Sequence, residues 1–202
     1  MYKNQDLQNF KDISIREFNN FAENVDEKAL AKAAKLINDS MAKGGRLHIT
    51  GIGKPGHIAG YAASLISSTG TPAYFLHGTE AVHGSCGQLK KGDVVIAISN
   101  SGNTSELITT CNAILNNGCK IIAVTGGKES QLAKLANVTL YAGIGEEGGP
   151  LNRAPRASII AETYILQCLS IMLQSGRDLT PQQYVKWHPG GTLGKLRKNE
   201  VK

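Results

Sequence analysis

Two continuous apolar runs dominate the chain: Asp93–Ser99, reading DVVIAIS, and Lys120–Thr125, reading KIIAVT. Runs without polar alternation suit strands covered on both faces of a parallel sheet. Three further β-rich runs, Arg46–Thr50, Ala73–His77 and Val138–Ala142, complete a set of strand candidates. Between them lie segments of helical pattern, His57–Ser68, Ser105–Asn116 and Ser130–Ala136. In Ser105–Asn116 the apolar residues Leu107, Ile108, Cys111, Ile114 and Leu115 share one helical face. Two helices are predicted ahead of the first strand, the second capped by Asn24 with Glu27 as its capping-box partner. After the last strand a Gly- and Pro-containing loop, Gly143–Pro155, leads into a long apolar helix over Ala157–Ser175. Strands alternating with helices through short connections predict one doubly wound α/β domain with a five-stranded parallel sheet. Its parts are N-terminal helices over 1–43, a core over 44–194 and a tail over 195–202.

Composition narrows the class. With 202 residues, 41% hydrophobic and 19% charged, the chain can bury a core without disulfides or metal. The net charge of +6 is spread along the sequence and only 5% of residues are aromatic, so no nucleic-acid surface is predicted. A modest positive field instead suits a protein that collects small anions. Cys86, Cys111, Cys119 and Cys168 form no CxxC pair, and the last three lie in segments that read as buried. That usage fits a reduced, cytoplasmic protein. The polar N-terminus lacks the apolar core of a signal peptide. Polar residues, Glu162 among them, interrupt Ala157–Ser175, so it reads as a buried or interface helix and no membrane span is expected.

The chemistry is expected where strands end. In open α/β sheets ligands bind beyond the carboxyl ends of the strands. Gly51, Gly53 and Gly56 after the first strand match GxGxxG, but no acid tips the second strand to hold a ribose, and no Walker A loop is present. After the third strand comes Ser99-Asn100-Ser101-Gly102-Asn103-Thr104-Ser105-Glu106. Hydroxyls and a glycine ahead of a helix N-terminus offer donors and a favourable dipole to a phosphate. An ordinary polar helix cap is the alternative, but it needs only one of those side chains.

These segments carry a resemblance. GIGKPGHIAG, TGTPAYFLHGTEAVHG and DVVIAISNSGNTSELI, followed by EGGPLNRAP at 147–155 and HPGGTLG at 188–194, resemble the sugar isomerase (SIS) domain, most nearly the arabinose-5-phosphate isomerase family. The resemblance covers about Gly44 to Gly194 and implies aldose–ketose interconversion of a phosphosugar with no cofactor. It implies that Ser99, Asn100, Ser101 and Thr104 hold the phosphate, and that Lys54, Glu106, Glu147 and His188 form the active site. Gly53, His83 and Arg153 are weaker expected substrate contacts. Isomerisation through an enediol needs a base on carbon, acid–base help at oxygen, and donors or positive charge near the oxyanion. Glu147 suits the first role, His188 the second and Lys54 the third, with Glu106 orienting Lys54 or a sugar hydroxyl. His57, His83 and His188 match no zinc spacing, so no metal is expected.

The chain also departs from that family. Ser85 stands where the family carries an acid after His-Gly, and Asn152, Arg153 and Arg156 replace small, apolar or hydroxyl residues. Those changes point to another sugar or a second negative charge on it. The paired CBS domains of typical relatives are not expected. A hexulose-6-phosphate or other sugar-phosphate isomerase is one alternative, and a non-catalytic sugar-phosphate sensor is another. A helix as apolar as Ala157–Ser175 must be covered on most sides, by the domain itself or by another copy. The resemblance implies the second, a homo-oligomer, a dimer or tetramer, in which His188 reaches a neighbour's site.

Overall fold

A computed structural model describes residues 4–201. Helices α1 (Asn4–Glu23) and α2 (Glu27–Met41) precede strand β1 (Leu47–Gly51), helix α3 (Lys54–Ser68) and strand β2 (Ala73–Phe75). Two 3-10 turns, Glu80–His83 and Ser85–Gln88, lead to β3 (Val94–Ile98), α4 (Ser105–Asn116), β4 (Lys120–Thr125), α5 (Gln131–Leu135) and β5 (Val138–Tyr141). The long α6 (Ala157–Ser175) and short α7 (Pro181–Trp187) close the chain. All strand pairings are parallel, in the order β2-β1-β3-β4-β5.

The apolar runs take the positions their composition demands. Every residue of β3 is buried, and β4 is buried from its second residue onward. Successive side chains point to opposite faces, so one run serves two cores. Val94, Ile96 and Ile98 pack with Leu47, Ile49, Ile122, Val124 and Leu140 under α2, α3 and α6. Val95, Ala97, Ile121 and Ala123 meet Leu107, Cys111, Ile114 and Leu132 of α4 and α5. α6 is long and apolar enough to cross a bilayer, yet Ala161, Ile165, Leu166, Leu169 and Leu173 lie in the first of these cores. The doubly wound single domain follows.

Several boundaries differ from the pattern-based expectation. α2 is capped by Asp26, not Asn24: the Asp26 carboxylate accepts the Ala29 amide at 3.0 Å. Asn24 instead finishes α1, its side-chain amide donating to the Asn20 carbonyl at 2.8 Å. α3 starts at Lys54 rather than His57, because Pro55 is tolerated in a first turn, where its missing N–H has no partner to lose. β2 ends at Phe75, two residues early, on an edge where Tyr74 and Phe75 stay exposed. All four cysteines are free thiols, and Cys168 is half-buried rather than buried. Burial pushes the Cys111 thiol up to about 12.

One buried acid ties the amino-end edge of the sheet. Asp93, fully buried, accepts the Arg46 amide at 2.8 Å, the Lys90 amide at 2.8 Å and the Arg46 guanidinium at 2.9 Å. Its carboxylate also meets His48 Nε2 at 3.3 Å. Burial alone would raise its pKa, but the Lys90 amide and the Arg46 donors outweigh that and hold it below 3.8. Stability from Asp93 is therefore present above pH 3.8 and lost as pH falls through the lower folded value. Asp93→Ala should lose about 3–5 kcal/mol in urea unfolding at pH 7, because the Arg46 and Lys90 amides lose their buried acceptor and the Arg46 guanidinium its carboxylate. The deficit should shrink in acid; a variant as stable as the parent at pH 7 would contradict this role.

Candidate active site

The loops that follow the five strands all open on one edge. β1 and β3 are neighbours with Gly51 opposite Ile98, so Ile52 and Ser99 begin their loops side by side, with Lys54 two residues further on. From there the chain turns to α3 on one face and α4 on the other, which makes this the switch point of the sheet. α3 and α6 pack together, and both start at this edge. The N-termini of α3, α4 and α6 thus converge there and lend it positive potential.

Close backbone approach shapes the first loop. A Cβ on Gly51 would lie 2.8 Å from the Pro55 carbonyl carbon, so only glycine lets α3 start directly on the end of β1. Gly53 caps α3 without a side-chain hydrogen bond, and Lys54 beside it is exposed. A cleft of about 400 Å³ opens here, lined by Gly53, Gly56, His57, Phe75, His77 and Thr79 among others. Gly53 is an expected residue in it; His77 and Thr79 belong to no motif that singles them out. The Glu80 amide donates to His77 Nδ1 at 3.3 Å, which fixes the orientation of that ring.

The second loop gathers the expected phosphate contacts. Ser99 Oγ lies 3.2 Å from Thr104 Oγ1, and the Gly102 amide donates to Ser99 Oγ at 3.2 Å. Gly102 has φ +64, and a Cβ there would sit 2.5 Å from Ser130 Cβ and 2.7 Å from Thr125 Oγ1. The Asn100 carbonyl receives the Gly126 amide at 2.9 Å, and Ser101 is exposed at the tip. Thr104 precedes α4 but makes no cap hydrogen bond, so its hydroxyl does not occupy the first-turn amides. Glu106 is exposed in that first turn; its own amide, then the Ser105 hydroxyl at 2.9 Å, lower its pKa. No ion pair joins it to Lys54 among the described residues.

The loop after β5 is strapped down. Glu17 of α1 accepts the Gly145 amide at 2.7 Å, and Arg16 pairs with Glu146 at 2.6 Å. Asn152, at φ +47, accepts the Glu147 amide at 2.6 Å through Oδ1. The Glu147 carboxylate reaches the start of α6, where Oε2 accepts the Arg156 amide at 2.5 Å and the Ser158 amide at 3.1 Å. A loop carboxylate thus caps a helix that begins ten residues later in sequence. Arg153 and Arg156 are exposed beside it.

His188 lies elsewhere. α6 carries the chain about 28 Å away from the Glu147 edge, at 1.5 Å per residue. There Arg177 binds the Thr71 hydroxyl at 2.9 Å, and Trp187 packs against Gly70 just before β2. His188 follows, stacked on Tyr184 at 4.0 Å with Nδ1 on the Tyr184 carbonyl at 2.8 Å. Lys54, the Ser99–Thr104 loop, Glu106 and Glu147 therefore share one edge, and His188 of the same chain does not join them. His83 is exposed on the first 3-10 turn. Among the described residues no three His, Cys, Asp or Glu side chains gather as a metal site requires.

Sequence reasoning passes over Glu162. It is completely buried on α6, and neither carboxylate oxygen has a hydrogen-bond partner. Burial, then the negative charge of Glu147, push it up to about 8. That it is the one charged residue of α6 is its only signal.

Fold and site together define a doubly wound domain with a hydroxyl-rich loop at its switch point. Residues 40–173 match the SIS domain, and the chain belongs to that family. It is 42% identical over 164 residues to the arabinose 5-phosphate isomerase KdsD of Pseudomonas aeruginosa, covering 81% of this chain and 49% of that protein. To the KdsD of Escherichia coli K12 it is 35% identical over 188 residues, 88% of this chain and 57% of the relative. The chain spans about half the length of the curated relatives it matches. An E. coli CFT073 protein solved in complex with arabinose 5-phosphate superposes with a TM-score of 0.84 at 30% identity, covering 93% of this chain and all of that one.

Two measurements check the site. Gly102→Ala, forced into the Ser130 and Thr125 side chains, should weaken phosphosugar binding by about tenfold or more in calorimetry; unchanged affinity would remove the loop from the site. Glu162 ordinarily ionises near 4.5 once unfolded. The folded protein keeps its proton to about pH 8, so stability falls as pH rises through that window. Relative to Glu162→Gln, the parent should lose up to about 1.4 kcal/mol per pH unit there in urea unfolding. Parallel stability curves would contradict a buried, protonated Glu162.

Proposed function

We propose that the chain is an aldose–ketose isomerase that interconverts arabinose 5-phosphate and ribulose 5-phosphate through an enediol. The observation that carries this reading is the Ser99–Thr104 loop on the same sheet edge as Glu147. Its likeness to KdsD and to the arabinose 5-phosphate complex supports the same substrate.

The phosphate sits on the α4 N-terminus, held by its amides and by Ser99, Asn100, Ser101 and Thr104. Glu147, held through Oε2, removes the proton from the carbon beside the carbonyl and returns it to the neighbouring carbon. Lys54 stabilises the enediolate oxygen, and Glu106 orients Lys54 or a sugar hydroxyl. Gly53, His83 and Arg153 make secondary sugar contacts.

His188 acts in trans. Its place at the far end of its own domain supports a homo-oligomer, a dimer or tetramer, that brings it to a neighbouring site. Nδ1–H donates to the Tyr184 carbonyl, which leaves Nε2 to exchange protons with sugar oxygens. Ile171, 64% exposed on α6, together with Tyr74 and Phe75 on the sheet edge, offers apolar surface for such contacts.

Glu147→Gln keeps an oxygen to cap α6 but cannot take up a proton from carbon. Its turnover should drop at least about a thousandfold while phosphosugar affinity stays within about threefold. Near-normal turnover would take Glu147 out of the base role. Tight binding of a phosphosugar by the parent protein without turnover would favour a sensor.

A further inference from the structure

Asp93 closes the strand ends on the amino-end edge, and outside it a cleft of about 540 Å³ remains between the turns. Its walls are Lys43, Gly44 and Gly45 after α2, Lys90, Lys91 and Gly92 before β3, and Lys120 at the start of β4. A volume of this size suits a small ligand. The five residues of β3, at about 3.3 Å each, put it roughly 16 Å from the edge that carries Ser99.

The charge in this cleft is almost all of one sign. Lys43, Lys90, Lys91 and Lys120 make no ion pair among the described residues. One carboxylate lines the cleft, that of Asp39, and Lys35 already holds it at 2.6 Å. The Lys35 hydrogen bond lowers the Asp39 pKa most, and the charges of Lys43 and Lys120 lower it further, so both ammoniums act on one small region. Four unpaired cations around one cleft repel one another, and a bound anion of several charges removes that repulsion.

The backbone beneath them is fixed and presents no free carbonyls at the end of α2. The Asn38, Ser40 and Met41 carbonyls accept the Ala42, Lys43 and Gly44 amides at 2.9, 3.0 and 3.0 Å. Ser40 Oγ donates to the Gly92 carbonyl at 2.6 Å, which ties two of the turns together. The Gly92 amide donates to the Gly118 carbonyl at 3.0 Å, and the Lys120 amide to the Asp93 carbonyl at 2.9 Å. The Lys91 stem lies over Gly118, where a Cβ would come 3.0 Å from Lys91 Cγ. The lysines are thus mounted on turns already held in place, and a ligand need order little backbone to bind.

We propose that this cleft is a second binding site, for a small anion that carries a diphosphate group. Adjacent phosphates supply the several charges that four ammoniums call for. No aromatic side chain lines the cleft, so it recognises the diphosphate and offers no face on which a base would stack. The site is independent of the isomerase reading.

The test is a titration of the whole protein with pyrophosphate, followed by amide NMR. Gly44, Gly92 and Gly118 report the cleft, and Gly102 reports the loop after β3. The three cleft amides should shift together on one saturating curve. Lys91→Gln/Lys120→Gln should weaken that curve by about tenfold or more, with the urea unfolding midpoint unchanged, while Gly102→Ala leaves it within about twofold. Inorganic phosphate should bind about tenfold more weakly than pyrophosphate, and adenosine diphosphate within about threefold of it. Shifts confined to the Ser99–Thr104 loop, or an unchanged affinity in the double variant, would overturn the proposal. Equal affinity for phosphate and pyrophosphate would overturn the diphosphate assignment. So would much tighter binding of adenosine diphosphate, or of a single-stranded oligonucleotide, at the same lysines.

Discussion

A parallel ladder covered on both faces leaves a ligand little choice of place. β3 and β4 are walled in by helices on each side, so their backbone pairs entirely with neighbouring strands. Every connection that could hold a substrate must then lie at one edge or the other. The amino-end edge is closed by Asp93, which knits Arg46, His48 and Lys90 together. The carboxyl-end edge is left with glycine turns, hydroxyls and the N-termini of three helices. The ladder thus decides where chemistry can occur before any catalytic residue is considered.

Charge at that edge is arranged on one principle. Backbone amides that a helix cannot satisfy are offered to acceptors, some internal and some external. At α6 the acceptor is built in, because Glu147 takes the amides of Arg156 and Ser158. At α4 the Thr104 side chain takes none of the first-turn amides. One helix start therefore fixes a carboxylate, and in the proposed reading the other receives the phosphate. Isomerisation needs both, a base held firmly and a substrate anchored by an end that does not react.

The strands and the position of the hydroxyl-rich loop could be read from sequence because their signals are local. DVVIAIS and SNSGNTSE carry burial and cap chemistry in consecutive residues, and the structure places both within a residue or two of expectation. Asn24 misleads because Asp26, two residues on, is equally able to cap and lies in register with Ala29. Asn152 reads as a departure from the family, yet it latches Glu147 through a positive-φ turn that no periodicity announces. His188 sits in a recognisable motif, but its place depends on the path after α6, which rests on the packing of Trp187 against Gly70. Glu162 looks like an interruption in an apolar helix; only the packing around α6 shows that it is sealed from water.

The central claim is proton transfer at one carbon by a group on this edge. Its most direct test is isomerisation of arabinose 5-phosphate by the purified protein in D2O, followed by NMR of the product. The predicted result is ribulose 5-phosphate with solvent deuterium at the carbon beside the carbonyl, since a carboxylate base exchanges its proton. Turnover without deuterium at that carbon, or no turnover of any pentose, hexose or heptose phosphate, would contradict it.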